Sequence, residues 1–246
     1  YASFGEGGGR RQRGSKFYED SYRLGDVDQP IDFDQIAQEN KDRGALGSSD
    51  IFASSRNAHK WYGLLSTVKT NLTDELVLSG GIDARYYVGS HWYEVADLLG
   101  GQFYINDTND ENTSGQALKV GDRYNKDYDG IVVRGGLFAQ AEYSPSADLS
   151  IFLATAVSNT TYSKKEFMYY APTDPARESA NVDFLGYSVK GGANYNLSDT
   201  RNLFMNVGYF SKAPFLDGNV FQSDSSTAFN EGALNEKVFS AELGYG

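Results

Sequence analysis

Cysteine is absent from the 246 residues, which excludes disulfide staples and thiolate-held metals while leaving an extracytoplasmic location open. Histidine occurs only as His59 and His91, widely separated and without a spaced acidic partner, so no transition-metal site is read from them. No continuous apolar run reaches about 18 residues, which excludes helical membrane spans. Positive charge is scarce. With 22 Lys and Arg against 33 Asp and Glu, the net charge of -11 disfavours nucleic acid as a partner. The opening Tyr1-Ala2-Ser3-Phe4-Gly5 lacks the basic, apolar and cleavage regions of a signal peptide.

What is abundant points to strands. There are 27 Gly, 18 Tyr and 15 Phe but only five Pro. Short connections at Asn71-Leu72-Thr73-Asp74, between Tyr143 and Leu149, and between Tyr195 and Asn202 alternate with long ones near 94–130, 159–180 and 211–235. Between them the residues alternate apolar and polar. That rhythm predicts an antiparallel transmembrane β-barrel with short turns at one end and long loops at the other. A mean hydropathy of -0.50 is compatible with it, because only every second strand residue would face lipid.

The alternation is clearest over 75–93. Leu76, Leu78, Ile82, Ala84, Tyr86 and Val88 share one face; Glu75, Asp83, Arg85, Tyr87 and His91 share the other. A period of two held for that length exceeds the usual soluble strand of about five or six residues. Residues 131–143, 149–158, 185–195, 203–209 and 239–245 repeat the arrangement, and 59–70 does so more weakly through Tyr62, Leu64 and Val68. Tyr143 and Tyr195, each just before a short turn on the apolar face, suit an aromatic girdle. The count is seven strands, an odd number for a barrel that must close. Residues 58–246 are therefore expected to be consecutive hairpins of a larger barrel, 1–57 an outer loop region, and the chain a mature form or an internal piece.

Several local motifs are weaker. Gly5-Glu6-Gly7-Gly8-Gly9-Arg10-Arg11-Gln12-Arg13-Gly14 lacks the Gly-Lys-Ser/Thr ending and preceding strand of a phosphate loop, and is expected to be a flexible loop. Residues 32–39 suit a short helix with Asp32 or Asp34 at its N-terminus. Asp107-Thr108-Asn109-Asp110-Glu111-Asn112 lacks the glycine and terminal glutamate of a calcium loop and is expected to be solvated. Neither a Gly-x-Ser-x-Gly elbow nor a His-Glu-x-x-His motif is present, and His91 has no assigned serine, so no catalytic residue, cofactor or metal site is assigned. The better functional evidence is the non-lipid face: Glu75, Asp83, Arg85, Arg134, Gln140, Glu142, Lys190, Asn206 and Glu242, with His91, Trp92 and Tyr93 at the strand mouth. Asp83, Arg85, His91, Trp92, Tyr93, Arg134, Gln140, Glu142 and Lys190 are the candidate lumen or vestibule residues. A hydrated wall laced by ion pairs is the alternative for the charged members.

The stretch Tyr209-Phe210-Ser211-Lys212-Ala213-Pro214-Phe215, followed by Asn230-Glu231-Gly232-Ala233-Leu234-Asn235-Glu236 and Glu242-Leu243-Gly244-Tyr245, resembles part of the barrel of TonB-dependent outer-membrane receptors of the Bacteroidetes type. Asn235 stands where the family usually has Pro. The resemblance implies a 22-stranded barrel in the bacterial outer membrane, with a plug not recognisable in this sequence. It also implies active import of a scarce nutrient (siderophore, haem, cobalamin, oligosaccharide or peptide) energised through TonB. The partners implied are outer-membrane lipid, the TonB complex and the nutrient ligand, with a surface lipoprotein as an optional further partner. A passive channel or structural outer-membrane barrel is the alternative expectation.

Overall fold

A computed structural model describes residues 1–246 with the exception of the side chain of Asp217. Eight long strands form one antiparallel sheet: β1 (Ala2–Arg13), β2 (Ile51–Asn71), β3 (Leu76–Asp97), β6 (Arg123–Tyr143), β7 (Leu149–Glu166), β8 (Val182–Ser198), β9 (Arg201–Lys212) and β10 (Glu236–Tyr245). β4 (Tyr104–Ile105) and β5 (Ala117–Leu118) make a separate two-stranded ribbon in the β3–β6 connection. The long strands lie in chain order, each hydrogen-bonded to the long strand that follows it.

The sheet does not close. Its order runs from β1 to β10, and β1 and β10 are not paired with each other. Barrel closure requires the first and last strands to complete the ladder. For this chain the expected transmembrane barrel, with the porin-like character attached to it, is therefore corrected to an open eight-stranded sheet. β1 covers only the Ile51–Tyr62 part of β2, leaving the rest of that edge without a ladder partner. Edges left open in this way would strand backbone donors and acceptors in lipid. No described helix is long and apolar enough to cross a membrane, a statement about helices alone.

The two faces follow the pleat. Ile82 pairs with Leu137, Leu137 with Val157, and Val157 with Tyr187, so one face is a row of aliphatic and aromatic side chains. These residues are exposed, Leu137 at 59% and Ile82 at 42%. The opposite face carries Arg85, Arg134, Gln140, Lys190 and Asn206, one residue out of phase. Strands are longer than the alternation indicates: β6 begins at Arg123 and β7 continues to Glu166, where polar residues occupy both faces.

The glycine-rich opening, expected to be a flexible loop, is β1. Its ladder with β2 runs unbroken from Ala2↔Tyr62 to Arg13↔Ile51. Gly14 then turns at φ +123°, where a Cβ would lie 2.1 Å from the Asp50 carboxylate. This position needs glycine for both reasons. Helix α1 (Phe33–Asp42) starts at Asp32, whose carboxylate accepts the Gln35 N–H at 2.9 Å. It buries Ile36 and Asn40, and Asn40 Nδ2 donates to Asp50 O at 2.8 Å.

Two apolar clusters build the loop end. Ile51, Ala53, Val95, Leu98, Tyr104, Leu118 and Tyr124 form the first. In the second, residues 213–235 fold inward over the polar face, so that Val220 and Phe221 pack on Tyr162 and Phe184. Burying each such side chain stabilises by about 1.5–3 kcal/mol, which fixes this segment against the sheet rather than in solvent.

Candidate functional site: a cationic cleft on the polar face

The inward segment creates a cleft. Lys212, Ala213, Pro214 and Phe215 form one wall, and β2, β3, β6 and β7 supply the floor through Trp61, Arg85, Tyr87, Val132, Arg134, Ser158, Thr160 and Tyr162. Its volume is about 380 Å³, within the range of small-molecule sites. Local sequence positions these groups simply. Each floor residue lies on the polar phase of its strand, and antiparallel register brings Tyr87 beside Val132 and Val132 beside Tyr162.

The wall is pinned from below. Tyr162 Oη donates to Pro214 O at 2.6 Å. Lys164, buried, donates through Nζ to Ser223 O at 2.9 Å, to Ser226 O at 3.1 Å and to Asp224 O. At the far end Asn235 Nδ2 donates to Leu185 O and Ser211 Oγ. Leu216 seats against Gly130, where a Cβ would come within 3.1 Å of it.

Three cations border the cleft, and they are not equivalent. Arg85 is held by Asp83 on its own strand at 2.8 Å; that hydrogen bond raises the guanidinium pKa against the opposing effect of burial. Lys212 Nζ pairs with Glu236 at 2.7 Å and lies 4.6 Å from the centre of the Phe215 ring. Arg134 stands directly opposite Arg85, and among the described residues it makes no ion pair. Its influence is felt at Tyr162, where burial pushes the phenol up and the positive charge of Arg134 opposes it. Like charges directly opposite across a ladder are destabilising.

The sequence-derived candidates separate into groups. Asp83, Arg85 and Arg134 come together at the cleft. His91 stacks on Tyr128 with ring centres 5.0 Å apart and meets Asn57, closer to the loop end. Tyr93 packs beside the first apolar cluster, with Arg11 over its ring at 4.6 Å. Trp92 takes the alternate phase: it is buried under Arg123, and its Nε1 donates to Glu94 at 2.9 Å. Gln140 donates to Glu142 at 2.7 Å in a second hollow toward the short turns, with Phe152, Asn194, Phe204 and Asn206. Lys190 lines a third hollow with Phe152, Asn206 and Phe210.

Trp61, Tyr162, Lys212 and Phe215 were not singled out as site residues by sequence reasoning. Trp61 is on the face opposite Tyr62, a phase that the alternation in β2 does contain. Nothing local signals that residues 213–215 fold back over Arg134.

The acidic stretch at 107–112 is not a solvated loop throughout. Asp110 is buried and accepts from Asn106, Thr108, Thr113 and the Asn125 N–H. Burial alone would raise its pKa, yet these hydrogen bonds win and hold it below the usual carboxylate range. Its donors are protein groups, and among the described residues no cluster of three metal-ligating side chains exists.

No family model matches the chain, and no curated protein matches it. The receptor resemblance thus rests on sequence pattern alone, general from about residue 56 onward and strongest over 209–246, and the open sheet overturns it together with what it implied. The open sheet encloses no lumen, so the expected TonB-energised import and its passive-channel alternative lose the barrel they rested on. Outer-membrane localisation, and outer-membrane lipid, the TonB complex, a surface lipoprotein and an imported nutrient as partners, depended on that barrel and lose their support with it.

Proposed function

We propose that this protein is a non-catalytic recognition module that binds a small anion in the cleft at Arg134. The observation that carries the reading is the cross-strand pair Arg85↔Arg134, in which Asp83 compensates Arg85 while Arg134 has no acidic partner among the described residues. An anion between them removes the repulsion and gains charge-assisted hydrogen bonds. The protein as a whole carries a net charge of -11, so this positive site is a local arrangement rather than a consequence of composition.

Recognition is favoured over catalysis by what surrounds the hydroxyls. Ser158 and Thr160 line the cleft, but neither makes a hydrogen bond to a histidine among the described residues. Ser3 Oγ does lie 3.1 Å from His59 Nε2. That imidazole stacks on Tyr87 and has no carboxylate behind it among the described residues to orient it as a base.

The test is a titration with acetate and with sulfate, followed by NMR of the arginine Nε–H signals. Saturable shifts of the Arg134 signal, absent in Arg134→Gln, are expected. A linear, unsaturated response to both anions would remove the proposal.

A further inference from the structure

We infer that the anion this cleft selects is a ring-bearing monocarboxylate, an inference that rests on the anion-binding reading above. Charge sets the first limit. Arg85 has Asp83 at 2.8 Å and Lys212 has Glu236 at 2.7 Å, which leaves Arg134 as the one bordering cation without an ion pair among the described residues. A single uncompensated guanidinium matches one negative charge. A polyphosphate would place surplus charge against Asp83 and Glu236, and a neutral polyol would leave Arg134 unpaired. The planar guanidinium fork matches the two oxygens of a carboxylate.

The remaining walls specify the body attached to that carboxylate. Trp61 and Tyr87 meet edge to face, with ring centres 6.5 Å apart and planes at 83°. Both rings line the cleft, with His59 stacked on Tyr87 and Tyr1 edge-on to Trp61 behind them, and such an aromatic cluster takes a further flat ring by stacking or edge contact. Phe215 and Pro214 stand on the wall supplied by the inward segment. A volume of about 380 Å³ suits one compact ring system rather than a polymer.

The experiment is calorimetric titration of the full chain at low ionic strength with naphthoate, acetate and naphthylmethanol. Naphthoate is expected to bind at least tenfold more tightly than either other probe. Trp61→Leu should lower the ratio of naphthoate to acetate affinity by about tenfold, and Arg134→Gln should weaken both anions. Equal affinity for naphthoate and acetate would overturn the ring specificity and leave the anion site standing. Equal affinity for naphthoate and naphthylmethanol, with Arg134→Gln inert, would overturn the anion site itself. No saturable binding of any probe would overturn both.

Discussion

Arg85 and Arg134 occupy directly opposed positions on neighbouring antiparallel strands, while Asp83, two residues before Arg85, faces Gly136 and turns its carboxylate to Arg85. The one carboxylate is taken by Arg85 and none pairs with Arg134 among the described residues, so the sheet holds an electrostatic cost at this point in the absence of ligand. Arg134→Gln should therefore stabilise the ligand-free protein by about 0.2–1 kcal/mol, the size of a cross-strand pair term. Asp83→Asn should destabilise it by a similar amount. Urea unfolding curves for the two variants should shift in opposite directions, and a shared direction would refute the repulsion.

Lys164 governs the wall of the cleft without lining it. Its ammonium is buried and serves the carbonyls of Ser223, Asp224 and Ser226. Lys164→Met fills the stem's space but leaves those acceptors without their donor, at about 1–3 kcal/mol. Amide hydrogen exchange across 213–235 should accelerate while the strands of the sheet keep their protection. Lys126→Ala breaks the more exposed pair with Asp224 and the contacts of the ammonium with the Tyr93 and Tyr128 rings and should cost about 1 kcal/mol. Equal exchange in both variants would show that Lys164 is not the clamp.

The period of two was legible wherever one face is apolar. Leu76 to Val88 and Ile131 to Tyr143 report their phase directly, and the register pairs Leu76 with Tyr143 and Ile82 with Leu137. Legibility stops where both faces turn polar, as in Arg123–Asp129 and Asn159–Glu166, which are strand in the fold. β1 was hidden for a different reason. Its four glycines weaken strand propensity, and the ladder to β2 supplies what the local sequence does not. Closure is not a local property at all. Alternation along a strand carries no information on whether β1 and β10 meet, and extending the pattern to a barrel was the step that failed.

The cleft was half legible. Arg85 and Arg134 stand out as cations within alternating strands, and Lys212-Ala213-Pro214-Phe215 stands out as a motif. Their meeting depends on Val220 and Phe221 finding Tyr162 and Phe184, contacts about 40 to 60 residues apart in the chain. Such non-local burial has no periodic signature.

Glu166 should make stability fall as pH rises. It is fully buried, one carboxylate oxygen accepts from the Met168 and Tyr169 N–H groups, and the other has no partner among the described residues. Burial raises its pKa above the ordinary 4.5, against the backbone hydrogen bonds and the charge of Lys164. The folded state therefore holds this proton more tightly than the unfolded chain. Its contribution is fully present below pH 4.5 and is lost as pH rises through the folded value. Glu166→Gln keeps the shape without the titration, so the difference in unfolding free energy between wild type and variant should shrink or reverse with rising pH. A constant difference from pH 4 to about 8 would contradict the assignment.

Asp110 should act in the opposite sense and on a different segment. Its carboxylate collects hydrogen bonds from Asn106, Thr108 and Thr113, and accepts the N–H of Asn125, which sits at a left-handed φ of 60°. Those bonds favour the ionised form over the burial that opposes it, so the folded pKa lies below the ordinary 3.8. The stabilisation is present above pH 3.8 and is lost as pH falls through the folded value. Asp110→Asn retains the volume but replaces one acceptor oxygen with a donor that faces other donors, at about 1.5–3 kcal/mol near neutral pH. Amide exchange at Asn125 and Thr113 should quicken in the variant and, in wild type, on acidification below the folded pKa. The 213–235 segment over the cleft should be unchanged by Asp110→Asn. If both segments loosened together, the loop end would be one cooperative unit and the separate roles of Asp110 and Lys164 would not hold.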